Sequence, residues 1–236
     1  MINIFLLCYN ECILLPQTIY HYRYFFPSAN ITIYDNESTD NSVELAKSLG
    51  CNVISWNSNN MIDDLKYKDI KNNCWKNVEN GWIIMADMDE WLCISEQNLK
   101  EEEEKGTTII KTKGLDMIGE SNREDLTDIN LHSIIKYIDN EFMSKKLCFH
   151  RNSIQEINYE AGAHYCSPVG NVVYSSKTYI IKHMSQLGLP FILNKTKNRY
   201  ERSECMRNQG MAIHYTDDIE QITNNYNSLL LYSSTL

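Results

Sequence analysis

The sequence predicts an α/β protein: a Rossmann-like mixed sheet flanked by helices, with a smaller second sheet in the C-terminal half. Three observations predict it. Short, nearly continuous apolar runs alternate with helix-length stretches through the first half of the chain. Helix start and stop residues fall between those runs. The second half breaks into short strand-like segments separated by turns. A chain of 236 residues suits one core of this kind, and no internal repeat or Gly-, Ser- or Pro-rich linker divides it.

The elements follow in order. INIFLLC is apolar at nearly every position, as a strand covered on both faces must be. CILLPQTIYHYRYFF has helical character, and Pro16 is compatible with a first turn, where a missing N–H costs nothing. ITIY is a second strand. DNESTDNSVELAKSLG then offers Ser38, Thr39 or Asp40 as the cap of a helix that stops at Gly50. CNVISW is a third strand, Met61 to Glu79 a helix rich in Lys and Asn, and GWIIMA a fourth strand. The order β-α-β-α-β-α-β is that of a parallel sheet. Beyond it, TTIIKTKGLDMIG, KLCFHR, IQEINY, GAHYC, GNVVYSS and TYIIKHM are strand candidates of an antiparallel or mixed sheet. KEEEEKG reads as a solvated helix end or loop. Leu189 to Arg207 reads as a helix with Lys195, Arg199 and Arg202 on roughly one face.

Composition excludes several classes. A net charge of -9 argues against non-specific nucleic-acid binding, which needs a basic face. The eight cysteines lie in apolar contexts with no CxxC pair, so neither a zinc ribbon nor a thioredoxin-like motif is present. They read as free thiols of a reducing compartment. MINIFLLCYNE has no basic start, and its apolar run is too short for a signal or an anchor. The expected location is cytoplasmic, at most peripheral to a membrane, and composition sets no oligomeric state.

In an open α/β sheet, ligands lie beyond the carboxyl ends of the strands. Those ends carry Cys8, Tyr9, Asn10 and Glu11; Asp35 and Asn36; Trp56 and Asn57; and Asp87, Met88 and Asp89. No GxGxxG or GxxxxGK[ST] accompanies them, which removes the main support for dinucleotide and P-loop readings. An Asp-x-Asp at a strand tip suits a hard divalent cation, because residues two apart in a strand point the same way and Mg²⁺ or Mn²⁺ takes one or two carboxylates plus phosphate oxygens.

FLLCYNE, ITIYDNESTDNSVELAKSLGCNV and WIIMADMDEWL resemble the nucleotide-sugar half of a GT-A-fold glycosyltransferase of the family 2 type. GLDMIG, EINYEAGAHYCSPVGNV, IIKHMSQLG, KNRYERS and GMAIHY are similar to a bacterial and viral branch of such enzymes. The resemblance spans nearly the whole chain. It departs from the family where KDIKNNCWKNVENGW replaces the R-x-x-G-x-x-x-A helix before the Asp-x-Asp. It implies one GT-A domain over 1–236, with 1–92 holding the nucleotide sugar and 93–236 the acceptor. The implied activity is metal-dependent transfer of a hexosyl or deoxyhexosyl group from a nucleotide-diphosphate sugar to a hydroxyl of a carbohydrate or glycoconjugate.

The resemblance also implies roles. Asp35 matches the acid that contacts uracil or ribose, its plainer reading being an Asx turn. Tyr9 would border the base, with Cys8, Asn10, Glu11 and Met88 around the donor. Asn73 and Lys76, or Lys71, could approach a phosphate, although a solvated helix face is the plainer reading. Lys195 and Arg199, with Arg202, would close over the diphosphate. Asp87 and Asp89 would hold Mn²⁺ or Mg²⁺, completed by His183 or His164, with His214 a weaker candidate. A general base, which an inverting transfer requires, would be Asp116 or Glu160, with Asp125 behind them. Glu90 stays without a role. Two other classes compete: a non-catalytic nucleotide-sugar-binding module, and a sugar-phosphate nucleotidyltransferase, which wants a Gly-rich basic loop that CYNECILLP lacks.

Overall fold

In the computed structural model, which describes residues 1–212 and 215–236, four strands lie parallel at the heart of the sheet. They are β1 (Ile2–Cys8), β2 (Asn30–Asp35), β3 (Asn52–Ser55) and β4 (Trp82–Asp87), linked by helices α1 (Leu15–Phe25), α2 (Ser42–Ser48) and α3 (Asp64–Asn73). β1 pairs with both β2 and β4, and β2 with β3. The unbroken apolar runs have a direct cause. Ile4 and Leu6 of β1, with Ile84 and Ala86 of β4, face one core, while Phe5, Ile83 and Met85 face another on the opposite side. Both faces are buried, so the two-residue period of a half-exposed strand never shows.

The first core is closed by Leu15, Ile19 and Tyr22 of α1; the second takes Trp75, which is wholly buried. Helix α1 carries Pro16 in its first turn, as expected. Of the three candidate caps for α2, Asp40 accepts the N–H of Ser42, the first helical residue, at 2.9 Å. The helix expected over 61–79 is shorter. Asp63 caps it through the N–H of Lys66, and the chain leaves it where Trp75 turns into the core and donates its ring N–H to Lys71 O.

After β4 the chain makes β5 (Glu90–Cys93), α4 (Glu96–Glu104), β6 (Ile109–Ile118), β7 (Lys136–Asp139), β8 (Cys148–His150), β9 (Ile154–Glu156), β10 (Val169–Gly170), β11 (Tyr174–Gln186), α5 (Leu189–Arg202), α6 (Glu204–Arg207), α7 (Ile219–Tyr232) and β12 (Ser234–Thr235). Most of these strands extend the first sheet. β8 runs antiparallel beside β4, and β6, β7 and β12 continue outward. β11 lies parallel to β6 and antiparallel to β5. Only β9 and β10 form the small second sheet. GAHYC is not a strand: Gly162 and Ala163, both at positive φ, end a short 3-10 turn (Ala161–Ala163), and Cys166 makes an isolated antiparallel bridge to Tyr159. KEEEEKG is the end of α4, but Glu102 within it is buried and accepts from Thr107 and Tyr179.

Candidate active site

A cavity of about 450 Å³ opens over the carboxyl ends of β1 and β4. The β1 tip supplies Cys8, Tyr9, Asn10 and Glu11; α3 supplies Tyr67, Lys68 and Lys71; the β4–β5 turn supplies Asp87, Met88, Asp89 and Glu90; and α5 closes it with Lys195, Arg199 and Arg202. Its wall carries six Lys and Arg side chains and five carboxylates. The whole chain has 22 Lys and Arg against 31 Asp and Glu. Cations are therefore concentrated here, as an anionic ligand requires.

Two carboxylate groups divide the site. β4 ends at Asp87 and the chain turns through Met88 and Asp89 into β5, so the two aspartates do not share a strand face. Asp87 receives Lys71 at 2.7 Å and Lys145 at 3.5 Å. Glu90, fully buried, accepts the Asp87 N–H at 2.9 Å and pairs with Lys145 at 2.5 Å. Burial alone would raise the Asp87 carboxyl; the two lysines outweigh it and hold the group below the usual carboxylate range.

Asp89 looks the other way. Around its Oδ2 stand Lys195 Nζ at 3.0 Å, Arg199 Nη2 at 3.5 Å and His183 Nε2 at 3.6 Å. Burial again opposes ionisation, but Lys195, His183 and Arg199 keep Asp89 well below its ordinary range. His183 gives its Nδ1 to Asp116 Oδ1 at 2.6 Å, and Asp116 Oδ2 accepts from Asn140 at 2.8 Å. Burial lowers the affinity of His183 for a proton, yet the Asp116 and Asp89 carboxylates prevail and raise it to about 9.

Asp89 and His183 fit a hard cation. Two ligands each at about 2.1 Å from a Mg²⁺-sized ion sit roughly 3.0 Å apart at a right angle, so the 3.6 Å between His183 Nε2 and Asp89 Oδ2 suits one once Nε2 gives up its proton and Lys195, 3.0 Å from the same oxygen, makes room. Asp116 behind the imidazole is the carboxylate–histidine support that metal-bound histidines commonly have. Among the described residues no group of three or more His, Cys, Asp or Glu is gathered for a metal. Further ligands would have to come from substrate oxygens, as is usual for Mg²⁺ at phosphates.

Several expected residues lie elsewhere. Asp35 is buried beneath the cavity, and both its oxygens are taken by Ser38, from N–H at 3.0 Å and from hydroxyl at 2.5 Å; it anchors the Asx turn. Asn73 bonds Asp69, and Lys76 pairs with Glu156 at 2.7 Å, so neither lines the cavity. Lys71 does, and it is buried rather than on a solvated face. Asp116 supports His183 with both oxygens engaged and does not line the cavity as a base would. Glu160 is exposed and Asp125 is bound up with Thr127, both away from the cavity wall. His164 lines the cavity but bonds Phe142 O, apart from the Asp89 group. His214 lies outside the described residues. Asn10, at positive φ, braces the backbone of Thr39 and Asp40. One face of the Tyr9 ring is covered by the Arg202 guanidinium at 3.2 Å.

Lys145 and Asn140 were not anticipated. Lys145 reaches the site because Met85 N bonds Leu147 O, which sets the segment entering β8 against β4. Asn140 reaches Asp116 because Gly114, without a side chain, lets the 140–143 turn lie directly on β6.

No protein-family model matches the chain, and no curated protein matches it. Among solved structures it is similar to residues 1–349 of S. aureus TarS, at 12% identity over 85% of this chain and 64% of that one, TM-score 0.44. The same fragment in complex with UDP-GlcNAc is similar at 12% identity, 85% and 66% coverage, and TM-score 0.43. Glucosyl-3-phosphoglycerate synthase from Mycobacterium tuberculosis, in complex with Mn²⁺, UDP and glucosyl-3-phosphoglycerate, is similar at 14% identity over 48% of this chain and 44% of that one, TM-score 0.34. The chain spans less than two thirds of the length of the first of these. Among the described residues, no helix is long and apolar enough to cross a membrane.

Proposed function

We propose that this protein is a GT-A-type glycosyltransferase that moves a sugar from a nucleotide-diphosphate donor to an acceptor hydroxyl, with Mn²⁺ or Mg²⁺ as cofactor. The observation that carries the reading is the Asp116–His183–Asp89 chain facing Lys195 and Arg199 over the strand tips. The strand order and the sequence resemblance support it.

A divalent cation held by Asp89 and His183 would supply Lewis acidity toward the departing diphosphate. The chain's own residues do the rest. Lys195 and Arg199 place two positive charges at the same spot and can donate to phosphate oxygens as charge builds on them. Asp87, kept ionised by Lys71 and Lys145, can accept hydrogen bonds from sugar or ribose hydroxyls without taking up a proton. Asp116 fixes the His183 ring and its tautomer through Nδ1.

The test is a thermal-shift series with nucleoside diphosphates, with and without Mn²⁺, followed by a screen of nucleotide sugars for slow metal-dependent hydrolysis. Stabilisation by one nucleoside diphosphate with Mn²⁺, lost in Asp89→Ala, is expected. No stabilisation by any nucleoside diphosphate under either condition refutes the reading.

A further inference from the structure

Lys195 occupies an unusual position for a phosphate-binding residue. Its ammonium is 3.0 Å from Asp89 Oδ2, the oxygen that also faces His183, and 3.4 Å from Glu11 Oε1. It is largely buried there, with only 15% of its side chain exposed. An ammonium and a divalent ion brought to the same carboxylate repel each other, so each weakens the other's hold on Asp89. Glu11 provides a second seat on the other side of the ammonium, within the reach of a flexible four-carbon stem.

We infer that Lys195 is a tethered counter-ion that holds Asp89 while the site is empty and makes divalent-cation binding depend on the donor diphosphate. With no donor, the cation binds against the charge of Lys195, which then has Glu11, at 3.4 Å, as its remaining close anionic partner. With a nucleoside diphosphate present, the displaced ammonium, together with Arg199 one helical turn along, gains phosphate oxygens as partners. The two ligands then help each other by the same factor in either order, as linkage demands. In this scheme Lys195 contacts the donor itself, and its move from Asp89 to phosphate is what couples the two ligands.

The inference rests on the metal-dependent reading above, and Mn²⁺ binding by titration calorimetry or by the free-Mn²⁺ spin-resonance signal tests it without turnover. Wild type is expected to bind Mn²⁺ weakly alone and about tenfold or more tightly with a nucleoside diphosphate, inside the range usual for coupled sites. Lys195→Met should bind Mn²⁺ without nucleotide about tenfold more tightly than wild type, with the nucleotide-dependent gain reduced. Lys195→Arg, which keeps the charge, should stay near wild type. Melting curves of both variants show whether they are folded, and Lys195→Gln serves in place of the Met variant if that is unstable. Unchanged nucleotide-free affinity in Lys195→Met, with nucleotide-assisted binding intact in wild type, overturns this inference alone. Nucleotide binding with no Mn²⁺ uptake in any variant overturns it together with the metal-dependent reading, and assigns the cation's place to Lys195 and Arg199 permanently.

Discussion

His183 and Asp116 face each other in register on neighbouring parallel strands, joined Nδ1 to Oδ1 at 2.6 Å. The other ring nitrogen of His183 is thereby turned to Asp89. Asp116→Asn should keep the strand pairing and lose this control. We expect Mn²⁺ affinity measured with nucleoside diphosphate present to fall about 10- to 100-fold, the usual loss for such a supporting carboxylate. A variant that binds as wild type does would show that the ring is held by other contacts.

Lys145 and Glu90 form a buried ion pair that also serves Asp87. Lys145→Met leaves Glu90 buried without its cation, and breaking a buried pair from one side costs roughly 3–5 kcal/mol. Denaturant unfolding should show that loss. Lys145→Met with Glu90→Gln should recover a large part of it, since the uncompensated charge is then gone. Equal stability of the single and double variants would mean that Lys71 alone neutralises the site.

Stability should fall as the solution is acidified from about pH 6.5 to pH 4, and His21 is the main reason. Its ring is buried among Trp91, Phe25 and His132, and burial lowers its pKa to about 4, with positive His132 and Lys182 adding to the effect. The unfolded chain takes up the proton near 6.5 and the folded one only near 4, so unfolding gains in that window and the full stability is present above it. The loss is on the order of 3 kcal/mol from this residue. His132, lowered in the same direction by its own burial, adds to it. In His21→Gln, which keeps a donor for Leu92 O, this limb of the pH–stability curve should flatten.

Gly114 lets the turn at 140–143 approach β6. A Cβ there would lie 2.4 Å from the Met143 carbonyl carbon and 2.6 Å from Asn140 O. Gly114→Ala should cost about 1–3 kcal/mol by overpacking and weaken Mn²⁺ binding, because Asn140 would be pushed off Asp116. Lost stability with unchanged Mn²⁺ affinity would separate the turn from the site.

β1 and β4 were legible because strands buried on both faces leave unbroken apolar runs, while β2, which alternates in burial, and the largely exposed β3 were placed by their position between helix signals. EWLC was not legible, being four residues long and joined to the acidic turn without punctuation. The strand-tip rule singled out Glu11, Asp87 and Asp89, and all three line the cavity, since position along a parallel strand sets which end a side chain lies at. It could not tell that Asp87 and Asp89 diverge, which follows from where β4 stops. Lys145 depends on β8 lying beside β4, and the His183–Asp116 bond depends on a register between segments 67 residues apart. No local pattern encodes either. For Asp35 the sequence carried two readings, and Ser38, three residues on, takes the oxygens.

The acidic turn has a second set of supports that involve none of its carboxylates. Thr18 of α1 donates to Met88 O at 2.8 Å, His21 meets Leu92 O at 3.0 Å and Tyr22 donates to Glu90 O at 2.6 Å. These bonds grip main-chain carbonyls, so much of the turn's shape is carried by the helix behind it, with the Glu90 carboxylate on the Asp87 N–H the one acidic side chain that shares that task, while Asp87 and Asp89 carry charge. Shape and charge can thus be edited separately. A substitution at Asp89 should report on chemistry with little distortion of the frame, while a substitution at Thr18 or Tyr22 should deform the frame and leave every charged group in the chain.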